Sequence, residues 1–470
     1  MRSLDLVRAI AVAAGVAVSA VALADEPAGK KAPSGASPAA AEAPSAERGY
    51  RFITEKAYVP SGFDQATFEA LWTVWGEPAR SCAQAASPEE RRRLAFERYG
   101  LTPRPGDASG KPMQYVVDGK GAWSISCFAC HAGQVAGRVV PGLGNAHLAL
   151  QTLVDDVAAY GAAQHRVPDL GAAMLRAIPF GETHGTTNAV MFSVALLAFR
   201  DRDLNFAWPK TAPKFVHHDL DAPPWWHVHR KKRLYLDGLV EVGHRSLMQF
   251  LLVPVNGPAR LKEWEPDFKD VLAYVRSVRP PAWPFAVDRA LAARGKRVFE
   301  TSCSQCHGTY GECGAYPETS VPIDVVGTDR VRFDAISREE RARFADSWFT
   351  EYTPAKANVD VTGYVAPPLD GIWASAPYFH NGSVPTLVHV LHPDARPAAW
   401  RVKSATGYDA ARVGLDVEER AAAPEGLTDA WERRSWFDTT KRGKSAEGHR
   451  FPAEVPEADK PALLEYLKTL

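Results

Sequence analysis

Apolar positions recur with helical spacing in two stretches far apart in the chain. In residues 270–278, Val271, Leu272 and Val275 fall at i, i+1 and i+4, and in residues 462–470 Leu463, Leu464 and Leu467 do the same, which is one face of a helix each time. Both stretches place a tyrosine, Tyr274 and Tyr466, at the same offset. The spacing therefore predicts one helix written twice, the mark of an internal duplication. Ahead of the second copy, residues 287–300 read as a partner helix, with Gly295 and Phe299 one turn apart so that a neighbouring backbone can come close. Ser87-Pro88-Glu89-Glu90 and Ser337-Arg338-Glu339-Glu340 read as capping boxes that open two further helices.

The amino end follows a different pattern. Arg2 and Arg8 frame a short apolar stretch, residues 9–21, which ends in the small-x-small site Ala22-Leu23-Ala24; residues 1–24 read as a cleavable secretory signal and the mature protein as periplasmic. Residues 25–48 are mostly Ala, Pro, Ser, Gly and Lys, with too little apolar bulk to offset ordering entropy, and read as a linker. Past the signal no apolar run approaches the roughly 20 residues of a spanning helix. The 55 basic and 55 acidic side chains cancel, so no overall field draws the protein to nucleic acid or anionic lipid. Hydrophobic residues at 46 % with 13 Trp fit packed globular domains. Residues 49–279 and 286–470 are expected as two domains, joined by the stiff, proline-rich residues 280–285.

Four of the six cysteines change the picture. They stand as Cys127-Phe128-Ala129-Cys130-His131 and Cys303-Ser304-Gln305-Cys306-His307, the spacing that attaches c-type haem. Two thiols one turn apart add across the porphyrin vinyl groups, and the adjacent histidine offers its imidazole to the iron. Two covalent haems follow, with His131 and His307 as proximal ligands. Zinc would want further Cys and His pairs.

Each half, on these residues, resembles a cytochrome c domain, and the pair resembles the bacterial di-haem cytochrome c peroxidase superfamily. Residues 368–387, with Trp373, Tyr378 and His380 in a Trp-x4-Tyr-x-His spacing, are most similar to the rubber oxygenase branch. The resemblance implies a mainly α fold: two tandem cytochrome c-like domains with long loops. It implies a redox-active role for Trp373 and Tyr378 beside the second haem, with His380 as a further candidate catalytic residue; the plain alternative for the rings is aromatic packing.

After the initiator only Met113, Met174, Met191 and Met248 remain, all in the first half, so the second haem lacks a nearby methionine of the kind an electron carrier uses. His380, His389, His392 and His449 are its candidate distal ligands, and the place of His449 near the last helix resembles the position from which rubber oxygenases supply theirs. For the first haem, His147 matches the labile distal histidine of the di-haem peroxidases. Met174 and Met191 compete with it, as does an open face; His184 and His244 could line a distal pocket. His217, His218, His227 and His229 cluster near Arg230-Lys231-Lys232-Arg233, a basic run that reads as a solvated face, as a partner for haem propionates, or as a dock for an acidic electron donor. Cys82 and Cys313 are left over and in an oxidising compartment are expected to pair.

The function these residues imply is a periplasmic oxidoreductase that activates peroxide or dioxygen at the first haem and passes electrons through the second, served by a small redox protein. A non-catalytic di-haem carrier and a rubber-oxygenase-like dioxygenase are the alternatives.

Overall fold

The computed structural model describes residues 42–166, 180–209, 216–354 and 357–470. The segment expected as a signal, most of the segment expected as a linker, and Met174 lie outside the described residues. Helix is the larger fraction, 41 % against 12 % strand, so the architecture is mixed where a mainly α fold was expected. The strands are ribbons of two to four residues: Ala122–Ile125 lies between Phe63–Asp64 and Tyr115–Val117, and Ala399–Val402 between Val417–Arg420 and Phe437–Asp438, all antiparallel. Long loops full of Pro and Gly leave backbone groups that such short pairings satisfy.

Six helices position the site: α1 Ala46–Glu55, α2 Leu150–Ala163, α3 Ala189–Leu197, α4 Pro258–Ser277, α5 Arg289–Ser302 and α6 Lys460–Leu467. The packing of α1 on α4 is repeated by α5 on α6. A Cβ added at Gly49 of α1 would stand 2.1 Å from the carbonyl oxygen of Asp270 and 2.9 Å from Tyr274 Cβ; one added at Gly295 of α5 would stand 1.8 Å from that of Ala462 and 2.9 Å from Tyr466 Cβ. Only glycine allows either approach. A carboxylate on the longer-range partner also ties down each entering chain: Asp270 accepts from Ser45 N–H at 2.6 Å, and Glu465 from Asp288 N–H at 2.7 Å. Ser45 caps α1, so this helix begins inside the segment expected as linker.

Of the two expected capping boxes one forms in full and the other by half. Ser87 Oγ accepts from Glu90 N–H, and Ser337 with Glu340 makes the full reciprocal box. The joining segment is irregular but packed: Trp283 stands edge-on to Trp373 at 5.3 Å, and Phe285 stacks on Tyr408 at 6.2 Å. One core cluster gathers α1, α4 and the first motif around Phe128, Phe268 and Val271; another gathers Phe299, Leu463, Tyr466 and the segment from Ile372 to Leu391.

Candidate haem site

Each Cys-x-x-Cys-His segment closes a single helical turn. His131 N–H donates to Cys127 O at 3.2 Å, and His307 N–H to Cys303 O at 3.1 Å, which sets both sulfurs and the imidazole of each motif toward one side. Each ring is then fixed by its second nitrogen. His131 Nδ1 meets the carbonyl of Pro223 at 3.1 Å, and His307 Nδ1 that of Pro367 at 2.8 Å. A donor bond at Nδ1 assigns the tautomer and leaves Nε2 with its lone pair free to bind metal. Burial reinforces the neutral form, lowering His131 to about 4 and His307 below its ordinary value. Burial also pushes Cys127, Cys130 and Cys303 up to about 11, so these thiols stay protonated until they react.

All six of these side chains line one cavity of about 1480 Å³, beyond the roughly 300–1,000 Å³ of a pocket for a single small molecule. Its walls include Leu150, Leu153 and Val157 of α2 and Phe192 of α3, together with Leu387, Leu391, Leu463 and Leu467, which share a core cluster with Cys303 of the second motif. Thiol pairs, oriented imidazoles and an apolar enclosure of this size fit porphyrins attached at both turns.

His449 faces His307. Their ring centroids are 6.0 Å apart at 65°, and two metal–imidazole bonds of roughly 2 Å each, with the depth of both rings, add up to such a separation. The approach is built by backbone. A Cβ on Gly448 would lie 2.2 Å from the carbonyl carbon of Gly327, His449 N–H donates to Val326 O at 2.6 Å, and Arg396 Nη1 donates to the carbonyls of Ala446 and Gly448, both at 2.7 Å. His449 itself has φ +46, a left-handed conformation held by those contacts. Phe379 and Phe451 flank the ring at 5.9 and 5.4 Å, and burial lowers its pKa to about 3.

The other candidates disperse. His147 is not among the residues lining the cavity; it is half-buried, which lowers its imidazole to about 4, and its neighbour His184 packs on Trp431 at 5.4 Å. The expected distal role at the first haem is thus not built at His147, because residues 142–149 fold back on the motif and on Gly100 through backbone bonds that aim this side chain elsewhere. Met191 packs against Ala335 and Ile336 away from the cavity. His244 pairs with Glu265 at 2.8 Å, His389 with Thr386 at 2.9 Å and His392 with Glu457 at 3.4 Å. His217 meets Asn188 at 3.1 Å, His218 the carbonyl of Val216 at 3.0 Å, and His229 the carbonyl of Trp226. No group of three or more metal-binding side chains forms among the described residues.

His380 and Tyr378 do line the cavity; Tyr378 Oη donates to Ile372 O at 3.0 Å, and the His380 ring lies 4.9 Å from Tyr364. Trp373 is buried but does not line the cavity; it donates to Pro281 O at 3.1 Å and packs on Trp283 and Tyr408. The basic run is not a solvated face throughout: Arg230 pairs with Asp370 at 2.8 Å, Arg233 donates to Gly238 O, and Lys231 lines the cavity. Cys82 and Cys313 are both free and exposed, so the expected bridge is absent.

Two features went unread in the sequence. The segment Ala222-Pro223-Pro224 is repeated as Ala366-Pro367-Pro368, and the first proline of each supplies the carbonyl that orients a motif histidine; this repeat was the available signal. Trp225 stacks on His131 at 4.9 Å, and Trp226 donates to Asp370 O at 2.7 Å, so the tandem tryptophans stand between the two turns.

In comparison with known proteins, residues 363–401 match the family model described as RoxA-like, cytochrome c-like. Two curated relatives are uncharacterized proteins of Sinorhizobium fredii (strain NBRC 101917 / NGR234). Uncharacterized protein y4iM is 29 % identical over 255 residues, 49 % of this chain and 56 % of the relative. Uncharacterized protein y4iJ is 29 % identical over 260 residues, 41 % of each. The chain spans about half the length of the curated relatives it matches. A cytochrome c-like domain is present, which supports a haem-based redox protein. No helix among the described residues is long and apolar enough to cross a membrane.

Proposed function

We propose that the chain is an exported di-haem c oxidoreductase, with one haem at Cys127, Cys130 and His131 left open on its distal side and the other at Cys303, Cys306 and His307 closed by His449. The observation that carries this reading is the asymmetry of the cavity. His449 stands opposite His307 at 6.0 Å, whereas among the described residues the ring against His131 is Trp225 and no second imidazole stands there, and His147 does not line the cavity, whose wall α2 and α3 supply with Leu150, Leu153, Val157 and Phe192. Haem c supplies redox iron with an axial position for a small oxidant where no second ligand fills it.

The protein's own residues do the rest. The Pro223 carbonyl holds His131 in the tautomer that binds iron, and the Pro367 carbonyl does so for His307. The apolar wall excludes water and suits an apolar substrate. Trp225 on His131 and Trp226 on the Asp370 carbonyl give electrons a short packed route between the halves. Dioxygen is the oxidant this site fits better than peroxide, because the peroxide scheme needs a histidine at 147 that leaves the iron, and that side chain does not line the cavity. The resemblance of residues 363–401 to RoxA-like domains supports the same choice.

Electron paramagnetic resonance of the oxidised, exported protein tests the proposal. One high-spin and one low-spin haem are expected, together with dioxygen uptake in the presence of an apolar alkene. Two low-spin haems would make the protein a carrier, and an intact mass with a single haem would end the di-haem reading.

A further inference from the structure

Charged groups along the cavity wall are unevenly paired. Buried Asp237 takes Arg332 Nη1 at 3.1 Å and Arg341 Nη2 at 3.3 Å on one oxygen, so a single carboxylate serves two guanidiniums. The remaining donors of Arg332, which lines the cavity, meet no acceptor among the described residues. Lys231 also lines the cavity and has no hydrogen-bond or ion-pair partner among the described residues. Glu318, which also acts on Lys231, is engaged by the backbone N–H groups of Lys232 and Arg233. The surrounding imidazoles bring no negative charge: burial lowers His227 and His380 to about 3 and His218 to about 4. Three cations thus stand against Asp237 and Glu318 beside an apolar enclosure, and an uncompensated buried cation is costly. Burial accordingly lowers the pKa of Lys231, against the pull of Glu318 and Asp237.

We propose that Lys231 and Arg332 hold propionate carboxylates of the haems bound in this cavity. The proposal rests on the reading that both Cys-x-x-Cys-His turns carry haem. A propionate supplies the missing negative charge from inside the cavity: of the carboxyl groups that line it, Asp64, Asp221 and Glu454, none pairs with Lys231 or Arg332, and burial holds Asp221 well above its ordinary value, toward the neutral acid. Arg332 is already aligned by Asp237 and presents its free N–H edge, the planar donor set that suits a carboxylate; Lys231 contributes a point charge. The basic run at 230–233 then has divided labour: Arg230 closes on Asp370, Lys232 faces solvent, and Lys231 alone turns to the cofactor.

The test uses the full-length exported protein with its haems attached. Lys231→Gln is expected to shift the propionate-bending band in the resonance Raman spectrum and to lower the midpoint potential of one haem, since a nearby cation that disfavours oxidised iron is gone. Lys231→Arg should restore both, and Lys232→Gln should change neither. If Lys231→Gln fails to fold, Lys231→Arg and Arg332→Lys remain as readouts, the second being expected to shift the band through loss of the planar donor edge. Unchanged band and potentials in a variant with intact mass for two haems would overturn the proposal while leaving the di-haem reading in place; a mass with one haem would overturn that reading first. A small carboxylate from solution filling the same place would respond to added acetate and leave the propionate band alone, which also overturns it.

Discussion

At His131 and at His307 the ring Nδ1 meets the carbonyl of the first proline in an Ala-Pro-Pro segment, at 3.1 and 2.8 Å, and each turn is backed by a helix pair that closes over a glycine. Opposite the two rings the likeness ends. His449 stands across from His307 between Phe379 and Phe451, while the ring against His131 is Trp225 and no second imidazole stands there among the described residues. Repeated architecture fixes how a proximal ligand is held, and local backbone decides whether a distal one arrives. The loop at Gly448 can deliver His449 only because Gly448 packs on the backbone of Gly327; a side chain at 448 would push the imidazole away.

The largest expected effect is removal of that one difference. His449→Ala should convert the second haem from low to high spin with both covalent attachments retained, making the two halves spectroscopically alike. His392→Ala is the control, since His392 faces Glu457 and not the cavity. Electron paramagnetic resonance reads both. A spectrum unchanged by His449→Ala would remove the contrast between the halves.

The shared part of the comparison breaks next. Gly295→Ala and Gly49→Ala each force a methyl against a carbonyl oxygen, at 1.8 and 2.1 Å, and overpacking of this kind costs about 1–3 kcal/mol. Both variants should lower the thermal midpoint, with Gly295→Ala the more severe because its clash is closer. A neutral result at one site alone would show that the two helix pairs are not packed alike.

Those glycines also show how far the sequence could be read. Gly295 was legible because it sits in a helical pattern one turn from Phe299. Gly49 was not, because the composition before it is that of a tether and α1 is only ten residues long. Both Cys-x-x-Cys-His segments were legible as candidate attachment turns, since chemistry fixes their spacing to the residue. His449 was reached by resemblance, whereas His147 was a matching offset with no way to see that backbone bonds at 142–149 would aim it elsewhere. The strands escaped notice because ribbons of two to four residues carry too little alternation to register as a period. Trp226 and Arg332 act through contacts spanning 144 and 95 residues, which no local pattern contains.

A smaller effect is expected where the two halves meet. Trp226→Phe removes the 2.7 Å donation to Asp370 O, leaving that carbonyl to His227 Nε2 at 3.1 Å. The loss should be about 1 kcal/mol of stability, with slower electron exchange between the haems in flash-photolysis transients and unchanged spin states. Equal rates in wild type and variant would show that the tryptophans join the halves mechanically and not electronically.

The smallest spectral effect belongs to His147, and there the two regions give opposite expectations for the same mutation. His147→Ala should leave the spin state of the first haem as it is, in contrast to His449→Ala at the second, because the ring does not line the cavity. Its effect should appear in acid stability. Burial lowers His147 to about 4, so the folded protein needs this imidazole neutral while the unfolded chain protonates it at an ordinary value near 6.5. As pH falls below that ordinary value the unfolded state binds the extra proton, and stability is lost by up to about 1.4 kcal/mol for each pH unit until the folded pKa is reached. Removing the imidazole removes this contribution, so denaturant titrations between about pH 6.5 and 4 should show a shallower decline in His147→Ala than in the wild type, even if the variant starts lower at neutral pH. A high-spin signal lost or gained at the first haem, with the acid decline unaltered, would instead return His147 to the iron.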